Sequence, residues 1–279
     1  MTHTVAELLP IINSLPSLPT VVMELLHNMG QQDRGNIALA RKISQDQALS
    51  LRVLKLANSS FYGSHFRSKT VEEAVNVLGS KTVYRLAAAS ALIHRMPHGA
   101  SAAFDVRSLW RHSLGAALSA SALAQAVGFP PDIAYLSGLL HDVGRLALAT
   151  HAPTEYQQAI DYQAKNDCSI VEAERVILGI DHSTVGEALT RHWRLPQEIQ
   201  TAVAFHHAMK DGRQDPLVMV MFTADALAHA LDLAHDPQDA VPPIPMDVWN
   251  TLKLDDDTLE RILISTLQEF EATSAALDQ

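Results

Sequence analysis

Apolar residues in this chain recur at the spacing of a helix in one segment after another, and over no useful length at the spacing of a strand. Val22, Leu25, Leu26 and Met29 fall at i, i+3, i+4 and i+7, and Gly30 ends the pattern. Asp46 is placed to cap a helix with Leu49, Val53, Leu56 and Ala57 on one face, which runs out in the turn-like Asn58-Ser59-Ser60. Thr70-Val71-Glu72-Glu73 reads as a capping box before the stripe Val71, Ala74, Val75 and Leu78. Gly79 closes that stripe, and another helix, about 80–94, follows directly. A long helix over about 104–127 carries Ala and Ser on every side, which predicts enclosure by other helices. Pro130-Pro131-Asp132 opens the next helix, and helices of about 153–166, 169–178, 181–192, 196–208 and 215–233 follow. Asp255-Asp256-Asp257 starts a last amphipathic helix, where three carboxylates suit the positive end of the helix dipole. The expected class is all-α.

Punctuation suggests the organisation. Pro97-His98-Gly99-Ala100-Ser101 is the best internal boundary, and the proline-rich stretch Asp236 to Pro245 reads as a linker. The expected parts are an N-terminal helical subdomain (1–100), a second helical part (101–235), and the linker with a C-terminal helix (236–279).

Charge and cysteine usage narrow the function. The net charge is −10 and no stretch concentrates Lys or Arg, which argues against a nucleic-acid partner. Cys168 is the single cysteine, so no intramolecular disulfide forms and a reducing compartment fits. Glu7 and Pro10 interrupt the N-terminus, so it does not read as a signal peptide. No run approaches the ~18 apolar residues of a membrane span. The expectation is a soluble cytoplasmic protein with no membrane partner.

Chance alone gives roughly one His-Asp dipeptide among 14 histidines in 279 residues, and there are two, His141-Asp142 and His235-Asp236. The dipeptide is therefore uninformative, and the second lies at the linker. The first has different surroundings. An apolar segment, Tyr135 to Leu140, leads into it, and Gly144 lets the backbone turn or approach a neighbour closely. Adjacent side chains on a helix diverge by about 100°, so both reach one metal only from a terminal or distorted turn. Imidazole nitrogen and a bridging carboxylate suit Fe, Mn, Zn or Mg rather than a closed cysteine site. His112, His182, His206, His207 and Asp225 lie within other helical patterns, where burial without a partner costs about 2–7 kcal/mol each. The competing reading is a buried hydrogen-bonded His-Asp pair without metal, with His182 merely capping a helix beside Asp181. The remaining histidines, including His151, His192 and His229, have no partner pattern.

Several motifs in order resemble those of the HDOD proteins, a bacterial branch of the HD-domain metal-dependent phosphohydrolase superfamily, over roughly residues 10–235. They are Leu15-Pro16-Ser17-Leu18-Pro19, Leu54-Lys55-Leu56-Ala57-Asn58-Ser59 with Tyr62, Val71-Glu72-Glu73-Ala74-Val75 with Leu78-Gly79, Trp110-Arg111-His112-Ser113, Gly138 to Leu146, Asp181-His182 with Gly186, Trp193 with Leu195-Pro196, and His206-His207. The resemblance implies a multi-helix HD-like bundle with an N-terminal helical subdomain. It implies His112, His141, Asp142 and Asp225 as a four-ligand metal set, and His182, His206 and His207 as ligands of a second ion. Asp142 would then join the two ions. Arg145 stands where many HD enzymes carry a basic residue facing substrate phosphate; the alternative is a pair with a carboxylate on the surface. Relatives that hydrolyse cyclic-di-GMP carry Gly-Tyr-Pro after the His-His pair; here Ala208-Met209-Lys210-Asp211-Gly212 follows. Some also use a glutamate four residues before the first histidine, where this chain has Ser108. The expected role is a signal-transduction module that binds signalling proteins, with a nucleotide as a further candidate ligand. A metal-dependent phosphohydrolase is the alternative.

Overall fold

The computed structural model describes residues 20, 23–24, 36–63, 67–95, 104–208, 215–235 and 240–278. Most of the helix expected around Val22–Met29 and the boundary at Pro97–Ser101 lie outside these residues. Among the described residues there are helices and no strand. They fall into two units, one spanning Met96–Leu263 and one combining Leu18–Arg95 with Ile264–Gln279.

The second of these units contains α1 (Asn36–Ile43), α2 (Gln47–Ala57) and α3 (Val71–Arg95). Asp46 caps α2 by accepting from Leu49 N at 2.9 Å. The expected stripe is buried at Val53, Leu56 and Ala57. Asn58 ties the following turn: its Nδ2 donates to Leu54 O and Ser68 O, and its Oδ1 accepts from Ser68 N at 2.8 Å. The capping box forms, with Glu73 N donating to Thr70 Oγ1 at 3.2 Å and Thr70 N donating to Glu73 Oε2 at 3.3 Å. Gly79 breaks α3 at φ 76°, ψ 155°, a conformation that side chains with a Cβ rarely adopt. Tyr62 donates its hydroxyl to Glu269 on the last helix at 2.5 Å.

The larger unit is built around α4 (Val106–Val127), which packs most extensively on α5 (Pro131–Leu140) and α11 (Pro216–Ala230). The Ala and Ser positions that predict enclosure are buried from Ser113 to Ser121. Small side chains let neighbouring helices approach on several sides at once. The layer continues through α6 (Val143–His151), α7 (Pro153–Asn166), α8 (Ile170–Leu178), α9 (His182–His192) and α10 (Gln197–Phe205). Caps set these boundaries: Asp105 accepts from Arg107 N and Ser108 N, Ser169 from Glu172 N, and Asp215 from Leu217 N.

Two helices have no counterpart in the sequence reading, α1 (Asn36–Ile43) and one near the C-terminus. Within the last part, α12 (Met246–Leu252) precedes α13 (Asp256–Leu277). Its seven residues are too few for periodicity to register. Tertiary packing supports it, since Val248 and Leu252 join a core with Ala120, Leu123, Val220, Ala224 and Ile262. No helix among the described residues is long and apolar enough to cross a membrane.

Candidate metal centre

Six helices of the larger unit bring the candidate ligands together. His112 lies in the second turn of α4. His141 and Asp142 occupy the break between α5 and α6, where Asp142 leaves the helical conformation (φ −97°, ψ 10°). That break is the terminal turn the adjacent pair needs. Gly144 permits it by close approach rather than by unusual dihedrals: a Cβ there would sit 2.0 Å from His182 O and 2.9 Å from Gly186 N. The start of α6 therefore lies directly against the start of α9, which places His182 opposite Asp142. Asp181, not His182, caps α9, accepting from Thr184 N at 2.8 Å. The His182 side chain is thus free to turn inward and is fully buried. His206 and His207 follow the end of α10, and Asp225 lies on the buried face of α11.

The convergence is tight. His112 Nε2 lies 2.9 Å from Asp225 Oδ1 and 3.2 Å from His141 Nε2. His141 Nε2 is 3.4 Å from Asp225 Oδ1 and 3.7 Å from Asp142 Oδ1. On the other side, Asp142 Oδ1 is 3.3 Å from His182 Nε2 and 3.7 Å from His206 Nε2. His182 Nε2 is 3.4 Å from His206 Nε2 and 3.2 Å from His207 Nε2. His112, His141, Asp142, His182, His206 and Asp225 are each no more than 4% exposed, and His207 lies at the solvent edge. All seven expected ligands are therefore in one place, with Asp142 between two groups.

Hydrogen bonds on the far side of three rings decide what the near side offers. His141 Nδ1 donates to Gly138 O, and His206 Nδ1 donates to Val203 O, both at 2.7 Å. His182 Nδ1 donates to Glu174 Oε2 at 2.7 Å, and the same oxygen accepts from His182 N at 2.8 Å. Carbonyl and carboxylate oxygens only accept, so Nδ1 must carry the proton. In the neutral ring each Nε2 then points a lone pair into the centre. The lone pairs of His182 and His206 face one another across 3.4 Å, beside Asp142 Oδ1. Such an arrangement calls for a cation. Two nitrogens bound at about 2.0–2.1 Å to one ion lie roughly 3.0–3.4 Å apart, which matches the separations here. The residues present fit a divalent ion, and the far-side acceptors are the kind that orient metal-binding histidines.

Electrostatics point the same way. Burial opposes ionisation of Asp142, but His141 and Arg145 hold its carboxyl well below the usual range. Burial likewise opposes ionisation of Asp225, which the adjacent imidazoles of His112, His141 and His229 keep well below the usual range. Burial disfavours the charged form of His141, yet Asp142 and Asp225 outweigh it and raise its pKa. The same balance raises His182 through Glu174 and Asp142. Two buried carboxylates thus demand positive charge.

Arg145 pairs with a buried carboxylate of the centre itself. Its Nη1 donates to Asp142 Oδ2 and its Nε to Tyr156 Oη, each at 3.1 Å. Sequence reasoning missed three residues around the centre. Glu174 was legible as a charged residue on the apolar stripe of Val171 and Leu178. His229 was legible as lying one turn beyond Asp225. Tyr156 carries no sequence signal.

An all-helical unit with a His/Asp centre at a helix break defines an HD-type protein. The HDOD domain model matches residues 15–209, and the chain belongs to the HDOD family. A solved structure of a candidate phosphohydrolase from Shewanella amazonensis SB2B is 25% identical, with a TM-score of 0.74 over 97% of each chain. An HDOD domain protein of unknown function from Geobacter sulfurreducens is 25% identical, with a TM-score of 0.72 over 99% of this chain and 95% of that one. A candidate signal transduction protein from Marinobacter aquaeolei VT8, 22% identical, shares the fold at a TM-score of 0.72 over 100% of this chain and 62% of its own. An uncharacterised protein of Treponema pallidum (strain Nichols) is 26% identical across 99% of this chain, which spans 53% of that relative's length.

Proposed function

We propose that this chain is a signal-transduction module whose HD centre holds one or two divalent ions and which acts by binding signalling proteins, with a nucleotide as a candidate ligand. The observation that carries this reading is the state of Arg145. Its Nη1 and Nε are turned inward onto Asp142 and Tyr156, the pairing of an arginine that supports the centre. Asp142 Oδ2 is engaged in the same pair, so Oδ1 alone faces the histidines. The missing Gly-Tyr-Pro segment after His207 agrees with this role.

Fe, Mn, Zn or Mg are the candidate ions. His112, His141, Asp142 and Asp225 would hold one, and Asp142, His182, His206 and His207 the other. An ion held there supplies Lewis acidity and a concentrated positive charge. Glu174, Gly138 O and Val203 O hold the imidazoles in the ligating tautomer. The surrounding apolar helices exclude water from the inner ligands.

The phosphohydrolase reading keeps one specific support: the complete ligand set, oriented from behind. A single experiment separates the two. Purified protein is loaded with each ion, counted by elemental analysis, and assayed for binding and turnover of nucleotides and cyclic dinucleotides. The module reading expects bound metal with no turnover above background. Turnover at ordinary enzyme rates, roughly 1–10³ s⁻¹, overturns it in favour of the hydrolase. Absence of bound metal overturns the metal-centre reading in both.

A further inference from the structure

One histidine outside the expected ligand set stands at the centre. α11 places His229 four residues beyond Asp225, so both side chains share a helix face. His229 Nε2 lies 3.5 Å from Asp225 Oδ1. Its ring stacks on that of His112, with centroids 4.4 Å apart and the planes inclined by 36°. Ligating atoms of His112, Asp225 and His229 all fall within 4.8 Å of one another.

Hydrogen bonding explains this crowding poorly. Asp225 Oδ1 is approached by His112 Nε2 at 2.9 Å, His141 Nε2 at 3.4 Å and His229 Nε2 at 3.5 Å. A carboxylate oxygen accepts along about two lone-pair directions. Three imidazole nitrogens around one oxygen exceed those two directions. A cation beside this oxygen, by contrast, takes a lone pair from each nitrogen. Two imidazoles and one carboxylate form a donor set of borderline softness, which suits Mn, Fe or Zn better than Mg.

We propose that His229 is an additional metal ligand, which with His112 and Asp225 forms a two-histidine, one-carboxylate set for a divalent transition ion on the α11 side of the centre. The inference rests on the metal-centre reading above. His229 is the more accessible member, with its side chain 19% exposed, so the position is open to solvent on that side.

The test compares wild type, His229→Ala and His229→Gln. Each is stripped with chelator and titrated with Mn(II) or Zn(II) by calorimetry, with bound metal counted by elemental analysis. The expected result is a loss of affinity of at least about 10-fold, or of one ion per chain, in both variants. Glutamine keeps a hydrogen-bond donor toward Asp225 but is a poor ligand, so it separates the two roles. Wild-type affinity in His229→Gln overturns the proposal in favour of a hydrogen bond. Wild-type affinity in His229→Ala overturns it outright. Thermal melts in chelator check folding: a variant destabilised only when metal is present supports ligation, and one destabilised equally without metal overturns it. If wild type itself binds no ion, the failure belongs to the metal-centre reading.

Discussion

Replacing Gly144 by alanine sets two known effects against one another. Glycine to alanine in a helix interior is worth about 1 kcal/mol in favour of alanine, and less at the second residue of α6. Against this, the new Cβ would sit 2.0 Å from His182 O, 2.8 Å from His182 C and 2.9 Å from Gly186 N. The first is about 1.4 Å short of the 3.4 Å where ordinary contact begins. All three atoms are backbone, so no side chain can swing away. Overpacking of this kind costs about 1–3 kcal/mol or more, so packing wins. With the helix gain subtracted, a net loss of about 1–2 kcal/mol at roughly 2–4 °C per kcal/mol for a unit of this size lowers the melting temperature by about 2–8 °C. The same displacement separates Asp142 from His182, now 3.3 Å apart, beyond the ~0.5 Å that a binding constellation tolerates. Metal affinity therefore falls together with stability. Thermal melts with and without chelator, plus a metal titration, read both. An unchanged or higher melting temperature with wild-type affinity would refute the close approach of α6 and α9.

Other expectations are simpler. Glu174→Gln removes the carboxylate behind His182, fully buried with it, and lowers metal affinity about 10–100-fold; a titration matching wild type counts against the orienting role. Asp181→Ala removes the α9 cap and costs about 1–2 kcal/mol by denaturant unfolding at neutral pH. Burial opposes ionisation of Asp181, but Thr184 and Arg175 lower its pKa. Its contribution is therefore present above the ordinary carboxyl value and lost as pH falls through the lowered one, so the gap between variant and wild type closes in acid. Tyr62 behaves in the opposite sense. Burial and Glu269 raise its phenol above the usual value, so stability is lost as pH rises past about 10. Wild type should destabilise more steeply there than Tyr62→Phe, and parallel curves would contradict the Tyr62–Glu269 contact.

Much of the fold was legible because helix periodicity, caps and glycine stops are local signals. Asp46, Thr70 with Glu73, Ser169 and Asp255 act within three or four residues of themselves, and the structure uses each as a cap. The Ala/Ser composition of α4 announced its enclosure. Short α12 was illegible because its stability comes from a core assembled by distant helices. In the centre, residue types and family motifs nominated seven ligands. They left open whether His182 was a cap and whether Arg145 faced outward, and they passed over His229.

By itself the sequence determined the helical class, most helix boundaries, the family, and the candidate ligands, since each rests on a pattern within a few residues. Tertiary structure alone decided that residues from 112 to 225 share one small volume. It also turned Arg145 onto Tyr156, placed Glu174 behind His182, and stacked His229 on His112. Those outcomes depend on how closely helices approach, and that distance is set by small contacts such as Gly144 against His182, which no one-dimensional spacing encodes.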